Sequence, residues 1–109
     1  MQTLGIVGGL GPESTVDYYR SIIGRYRSRT ANGAGYPHIV INSLDVDRGI
    51  AMLNEGRLSD LTDYLAEAIE SLVRAGADFG AIAANTPHIV FDKLLSRSPI
   101  PLISIVDAA

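Results

Sequence analysis

The sequence contains no cysteine among its 109 residues. This absence excludes disulfides, a thiolate zinc site and a cysteine nucleophile within these residues, and it fits a reducing compartment. A concentration of basic charge is also missing, because the nine Lys and Arg residues are dispersed and the formal net charge is −3. A nucleic-acid surface needs clustered basic residues, so we expect no nucleic-acid partner.

Long apolar runs are absent as well. No run approaches the roughly 18 residues that a membrane-spanning helix requires, so we expect no membrane partner. The segment Met1–Gly9 has no basic region and reaches glycine after too few apolar residues for a signal peptide. We therefore expect a cytoplasmic protein, and the length fits one small domain.

What the sequence does contain is an alternation of strand and helix patterns. Apolar, β-branched runs predict strands at Leu4–Val7, His38–Leu44, Phe79–Ala84 and Ile100–Val106. Helical spacing follows at Pro12 to about Ser28, around Gly49–Asn54, from Ser59 or Asp60 to just before Gly76, and after Pro87. This alternation predicts an α/β fold: a parallel four-stranded sheet with helices on both faces, similar to flavodoxin.

Two helices carry apolar residues at helical spacing. In the first helix these residues are Val16, Tyr19, Ile22, Ile23 and Tyr26, and its tyrosines indicate core or subunit packing. In the longer helix the predicted buried stripe is Leu61, Leu65, Ala68, Ile69 and Leu72. Ser59 or Asp60 could cap the start of that helix. Gly76 is expected to adopt the left-handed conformation just past its end.

The carboxyl ends of parallel strands lie at one edge of the sheet, where α/β proteins bind their ligands. Four turns should therefore meet at that edge: Gly8–Glu13, Ser43–Arg48, Ala84–Pro87 and Val106–Ala109. The first turn is glycine-rich and opens a helix, so its N–H groups could bind an anion. Alternatively, its glycines only permit a tight turn. Dinucleotide binding fits less well, because the glycine spacing differs from the fingerprint that such sites require.

Three polar residues in these turns are candidates for ligand binding. Arg48 is suited to forked pairing with a carboxylate, and its alternative is a surface ion pair with Asp45 or Asp47. Asn85 and Thr86 follow the third strand directly. Either residue could cap the next helix, and both could instead hold the carboxylate or amine of a substrate.

Two segments resemble motifs of the aspartate/glutamate racemase family. Gly5–Thr15 resembles that family's GGMGP-type opening, with Leu10 in place of the more usual methionine. Ala75–Asp78 leading into Ala83–His88 resembles the family's AGAD…CNTxH segment. The similarity runs over essentially the whole sequence. A complete family member is about twice as long, so the resemblance covers its first half.

This resemblance implies that residues 1–109 form the N-terminal lobe of a two-lobe enzyme whose second lobe is not part of this chain. The active site would lie between the lobes, and the protein would be a homodimer. The family uses neither pyridoxal phosphate nor a metal. One cysteine from each lobe faces the α-carbon, where one thiolate removes a proton and the other thiol delivers one to the opposite face.

The resemblance also implies roles for particular residues. Asn85 and Thr86 would hold the substrate carboxylate, Arg48 would bind a carboxylate, and Leu10 would line the pocket. The family's first catalytic cysteine falls at Ala84, whose methyl group cannot exchange a proton.

The expected function is a cofactor-independent racemase that acts on aspartate- or glutamate-type amino acids, with the thiol at Ala84 missing. The alternatives are a catalytically silent amino-acid-binding homologue and a flavodoxin-like nucleotide-binding domain. Alone, this lobe is expected to be inactive, because one face of the substrate would meet water.

Overall fold

A computed structural model of the protein describes residues 2–104. Its strands are β1 (Thr3–Gly8), β2 (His38–Ser43), β3 (Phe79–Ile82) and β4 (Leu102–Ser104). Its helices are α1 (Pro12–Ser28), α2 (Val46–Asn54), α3 (Leu58–Arg74) and α4 (His88–Arg97), with a short 3₁₀ turn at Ala31–Gly33. The strands are all parallel, in the order β2-β1-β3-β4, which confirms the predicted fold. The last two residues of the predicted fourth strand and the predicted turn Val106–Ala109 lie outside the described residues.

The two central strands, β1 and β3, are buried on both faces of the sheet, and different helices cover the two faces. Leu4 and Ile6 of β1 pack with Ala81 and Ala83 beneath α1. Val7 points to the opposite face, where it joins a larger core built mainly from α3 and α4. Successive strand residues face opposite sides of a sheet, so a strand buried on both faces must be apolar at consecutive positions. This explains the unbroken apolar run that predicts β1.

Helix α3 agrees with its predicted buried stripe, since Leu61, Leu65, Ala68, Ile69 and Leu72 are all buried. Its predicted cap is wrong. The helix begins at Leu58, with Arg57 as the N-cap residue and no side-chain cap. Asp60 instead accepts a hydrogen bond from Nε of Arg57 at 2.9 Å, which raises the pKa of that guanidinium above its usual value. Gly76 adopts the predicted left-handed conformation, with φ of 98°.

Helix α1 has the predicted bounds but buries only part of its apolar surface. Thr15 is its buried residue, and Tyr18 and Ile22 pack against the core beneath the sheet. Val16 and Tyr19 are 48% and 39% exposed. The apolar spacing therefore identifies the helix correctly, but the apolar stripe is wider than the surface that one sheet face covers.

The start of α2 and the end of β3 differ from the predictions. Helix α2 begins at Val46 rather than near Gly49, because the Asp45 carboxylate accepts hydrogen bonds from the backbone N–H groups of Asp47 and Arg48. Arg48 therefore lies in the first turn of a helix and not in a loop. Strand β3 ends at Ile82 rather than at the predicted position 84.

The predicted capping role of Asn85 or Thr86 is wrong as well. The N-cap residue of α4 is Pro87, and no side chain caps the helix. The helix can start without a capping side chain because its first residues are exposed to water, which can satisfy their N–H groups.

Candidate functional site

A cavity of about 260 Å³ opens at the carboxyl ends of β1 and β3. The chain leaves β1 for β2 on one side and later returns to add β3 on the other side, so the strand order reverses between β1 and β3. Ligands of α/β proteins bind at such reversals. The lining residues are Leu10, Gly11, Val46, Gly49, Ile50, Leu53, Leu61, Ala84, Asn85, Thr86 and Pro87.

Ala84 lies in the wall of this cavity and is only 7% exposed. The backbone before it is fixed, because the Ala83 N–H donates to the Val7 carbonyl oxygen at 2.9 Å and extends the pairing of β3 with β1. Ala84 is therefore held next to the turn that follows β1. Its side chain is a methyl group, which can neither remove nor deliver a proton.

The glycine-rich turn after β1 packs closely against the segment that follows β2. The Leu44 N–H donates to the Gly8 carbonyl oxygen at 2.8 Å, and the Gly9 N–H donates to Oγ1 of Thr15 at 2.9 Å. Gly9 has φ of 83°, and a Cβ atom there would lie 2.5 Å from backbone atoms of Leu44. These contacts support the interpretation that glycine permits a tight turn, and they engage one N–H that an anion would need.

Asn85 and Thr86 line the cavity beside Ala84. Asn85 is exposed and Thr86 is half-buried, so both side chains lie at the border between the cavity and solvent. An amide and a hydroxyl group can each donate a hydrogen bond to a carboxylate. The structure thus brings four predicted site residues together, with Leu10 completing the set.

The fifth predicted residue, Arg48, lies elsewhere. Its Cζ atom is 4.7 Å from the centre of the Tyr64 ring, which is a cation–π contact with α3. Arg48 lines a second cavity of about 230 Å³, together with Tyr64 and the charged residues Arg57, Asp60, Asp63 and Glu67. Among residues 2–104 the Arg48 guanidinium forms no ion pair with Asp45 or Asp47. Its role as a carboxylate ligand stays a prediction.

The two faces of α2 account for this separation. Val46, Gly49, Ile50 and Leu53 follow the spacing of one helical face and line the first cavity, whereas Arg48 lines the second. The sequence analysis missed this apolar wall. Its spacing was available as a signal, but a helix predicted to start at Gly49 excludes Val46.

The first cavity has no charged side chain among the described residues that line it. Over residues 2–104, no three His, Asp or Glu side chains are grouped so that they could hold a metal ion. None of the helices in that range is long and apolar enough to cross a membrane.

Comparison with known proteins identifies the family of this chain. Residues 7–109 match the sequence model of the Asp/Glu/Hydantoin racemase family. The chain is similar to the broad specificity amino-acid racemase RacX of Bacillus subtilis (strain 168), with 26% identity over 115 aligned residues. That alignment covers 95% of this chain and 46% of RacX, so the chain spans about half the length of this relative.

Two solved structures share the fold described above. One is an aspartate racemase homologue from Pyrococcus horikoshii OT3, with 37% identity and a TM-score of 0.85. The other is a candidate Asp/Glu racemase from Yersinia pestis, with 31% identity and a TM-score of 0.89. Each comparison covers 99% of this chain and 46% of the other protein. The chain belongs to the Asp/Glu/Hydantoin racemase family.

Proposed function

We propose that this chain forms one side of the substrate cleft of an amino-acid racemase that transfers a proton at the α-carbon without a cofactor. The observation that carries this proposal is the convergence of Leu10, Ala84, Asn85 and Thr86 on one cavity. Family membership and the similarity to a broad specificity amino-acid racemase support the same reaction class.

The reaction needs an acid and a base on opposite faces of the α-carbon. Because α-protons of amino acids are very weakly acidic, positioning of the substrate and stabilisation of the developing negative charge must lower much of the barrier. In this proposal Asn85 and Thr86 hold the α-carboxylate by hydrogen bonds. That placement directs the α-carbon towards Ala84.

The alanine at position 84 raises the question of whether this protein catalyses proton exchange. With a methyl group at residue 84, the side chains of residues 2–104 that line the cavity include no acid or base. The same observation favours a second candidate function, a protein that binds an amino acid without turnover. Both candidates use the same cavity, and they differ in whether proton exchange occurs.

The deciding experiment measures exchange of the α-proton in deuterated water, using the full-length protein and its Ala84→Cys variant. A correctly placed acid–base group contributes about 10²- to 10⁴-fold, so we expect the variant to exceed the unaltered protein by that order. Ala51→Cys is the matched control, since residue 51 is exposed on α2 and does not line the cavity.

Each outcome has a distinct meaning. Exchange in Ala84→Cys alone supports a racemase cleft that has lost its thiol, and thus the silent binder. Exchange in both proteins supports a racemase that works without this thiol. No exchange in either protein, together with no amino-acid binding by calorimetry, contradicts the proposal.

The resemblance further implies aspartate or glutamate as the substrate. A buried side-chain carboxylate requires a cation, and Arg48 is the residue predicted to provide it. Its guanidinium lies over Tyr64 on the opposite face of α2. An acidic substrate would therefore require this side chain to move, or a cation from outside the described residues.

A further inference from the structure

We propose that the cavity of this lobe receives an apolar substrate side chain, of the aliphatic or thioether class found in leucine and methionine. This inference rests on the proposed function, because it assumes that Asn85 and Thr86 hold the α-carboxylate of an amino acid. It adds the chemical class of the side chain, and it differs from the acidic class that the resemblance implies.

The wall of the cavity is largely apolar. Beyond Asn85 and Thr86, the side chains that line the cavity are apolar, and three of them are Ile50, Leu53 and Leu61. Ile50 and Leu53 are 49% and 41% exposed. An apolar ligand group that covers them removes apolar surface from water on both partners, and the free energy gained grows with that area.

The described lining offers no charge partner for a carboxylate. No Lys, Arg or His lines this cavity within residues 2–104. A carboxylate placed against leucine and isoleucine would lose its hydration and gain no counter-charge from the described residues, so an acidic side chain would need a cation from outside them.

Arg48 lies on the other face of α2, away from the first cavity. Its guanidinium lies 4.7 Å from the Tyr64 ring centre. The Tyr64 hydroxyl oxygen accepts a hydrogen bond from the N–H of Asp45, the N-cap residue of α2, at 3.0 Å. Moving Arg48 into the first cavity would break the cation–π contact.

The cavity also has suitable dimensions. Its volume of about 260 Å³ is several times the roughly 30 Å³ that one water molecule occupies in the liquid. Gly49 lets the Leu10 side chain pack closely against α2, since a Cβ atom there would lie 2.9 Å from Cδ2 of Leu10. The wall and the polar pair Asn85 and Thr86 border one continuous space, as a single amino acid would require.

The test places a positive charge in the wall. Leu53→Arg puts a guanidinium at the cavity, and Leu95→Arg is its matched control because Leu95 is 45% exposed on α4 and does not line the cavity. Binding of L-leucine, L-methionine, L-aspartate and L-glutamate to the full-length protein and both variants is measured by calorimetry. Thermal unfolding of each variant checks that it is folded.

We expect leucine and methionine to bind more tightly than aspartate and glutamate. Leu53→Arg should weaken binding of the two apolar amino acids by at least about tenfold and improve binding of the acidic ones, whereas Leu95→Arg should change neither. Tighter binding of aspartate or glutamate to the unaltered protein, with no effect of Leu53→Arg, would overturn the inference and leave the proposed function standing. Failure of all four amino acids to bind would contradict the proposed function itself.

Discussion

At Gly9 a methyl group would collide with the backbone of Leu44, and this sets the strictest local requirement near the cavity. We predict that Gly9→Ala lowers the free energy of unfolding by at least about 3 kcal/mol, as left-handed backbone strain adds to displacement of a packed segment. Gly56→Ala is the control, because Gly56 also has positive φ but has open space around it. It should cost only about 1–2 kcal/mol. Urea denaturation measures both variants, and equal costs would contradict the proposed contact.

At the same scale, the sequence predicted much of the candidate site. Leu10, Ala84, Asn85 and Thr86 follow strands β1 and β3, so strand geometry was sufficient to place them at one edge of the sheet. Arg48 could not be placed in this way. Its direction depends on the phase of α2, and that phase is set by the Asp45 cap and the Tyr64 ring rather than by the end of β2.

Among the elements, α2 depends most clearly on one side chain. Asp45 accepts two backbone hydrogen bonds at its start, so Asp45→Ala should lower the free energy of unfolding by about 1 kcal/mol. Asp45→Asn keeps a capping oxygen and should stay within a few tenths of a kcal/mol of the unaltered protein. Chemical denaturation distinguishes the two. An equal loss in both variants would show that the charge of Asp45, and not its cap, matters.

Elements with long, regular apolar spacing were the ones predicted best. Helix α3 has five stripe residues that all reach the core, so its identity and buried face were clear. Helix α2 is nine residues long and begins in Asp45-Val46-Asp47, which reads equally well as a turn. The start of α4 after Pro87 was predicted correctly, but its cap was assigned to Asn85 or Thr86, whereas Pro87 occupies the N-cap position without a side-chain hydrogen bond.

For the whole molecule, stability should depend on the core shared by the sheet, α3 and α4. Leu65 is fully buried there, so Leu65→Ala should lower the free energy of unfolding by about 3 kcal/mol. Leu95→Ala makes the same chemical change at a site that is 45% exposed, and it should cost no more than about 0.5 kcal/mol. Both values come from denaturant unfolding. Similar costs at the two positions would contradict the described packing of α3 and α4.

The overall architecture followed from the alternation of strand and helix patterns, which leaves few ways to arrange a parallel sheet. Quaternary structure did not follow in the same way. The homodimer implied by the resemblance stays a proposal, and the exposed Val16 and Tyr19 of α1 are candidates for its contact surface. Light scattering of the full-length protein measures its mass directly.

Helix α2 lies between the two cavities: the first is lined mainly by apolar residues and the second mainly by charged ones. Arg48 lies on one side, and Gly49 and Ile50, its next neighbours along the chain, lie on the other. A basic residue placed one or two positions later than Arg48 would therefore line the first cavity instead of the second. If the cavity receives the substrate as we propose, residue exchanges within α2 alone would be enough to change which side chain it accepts.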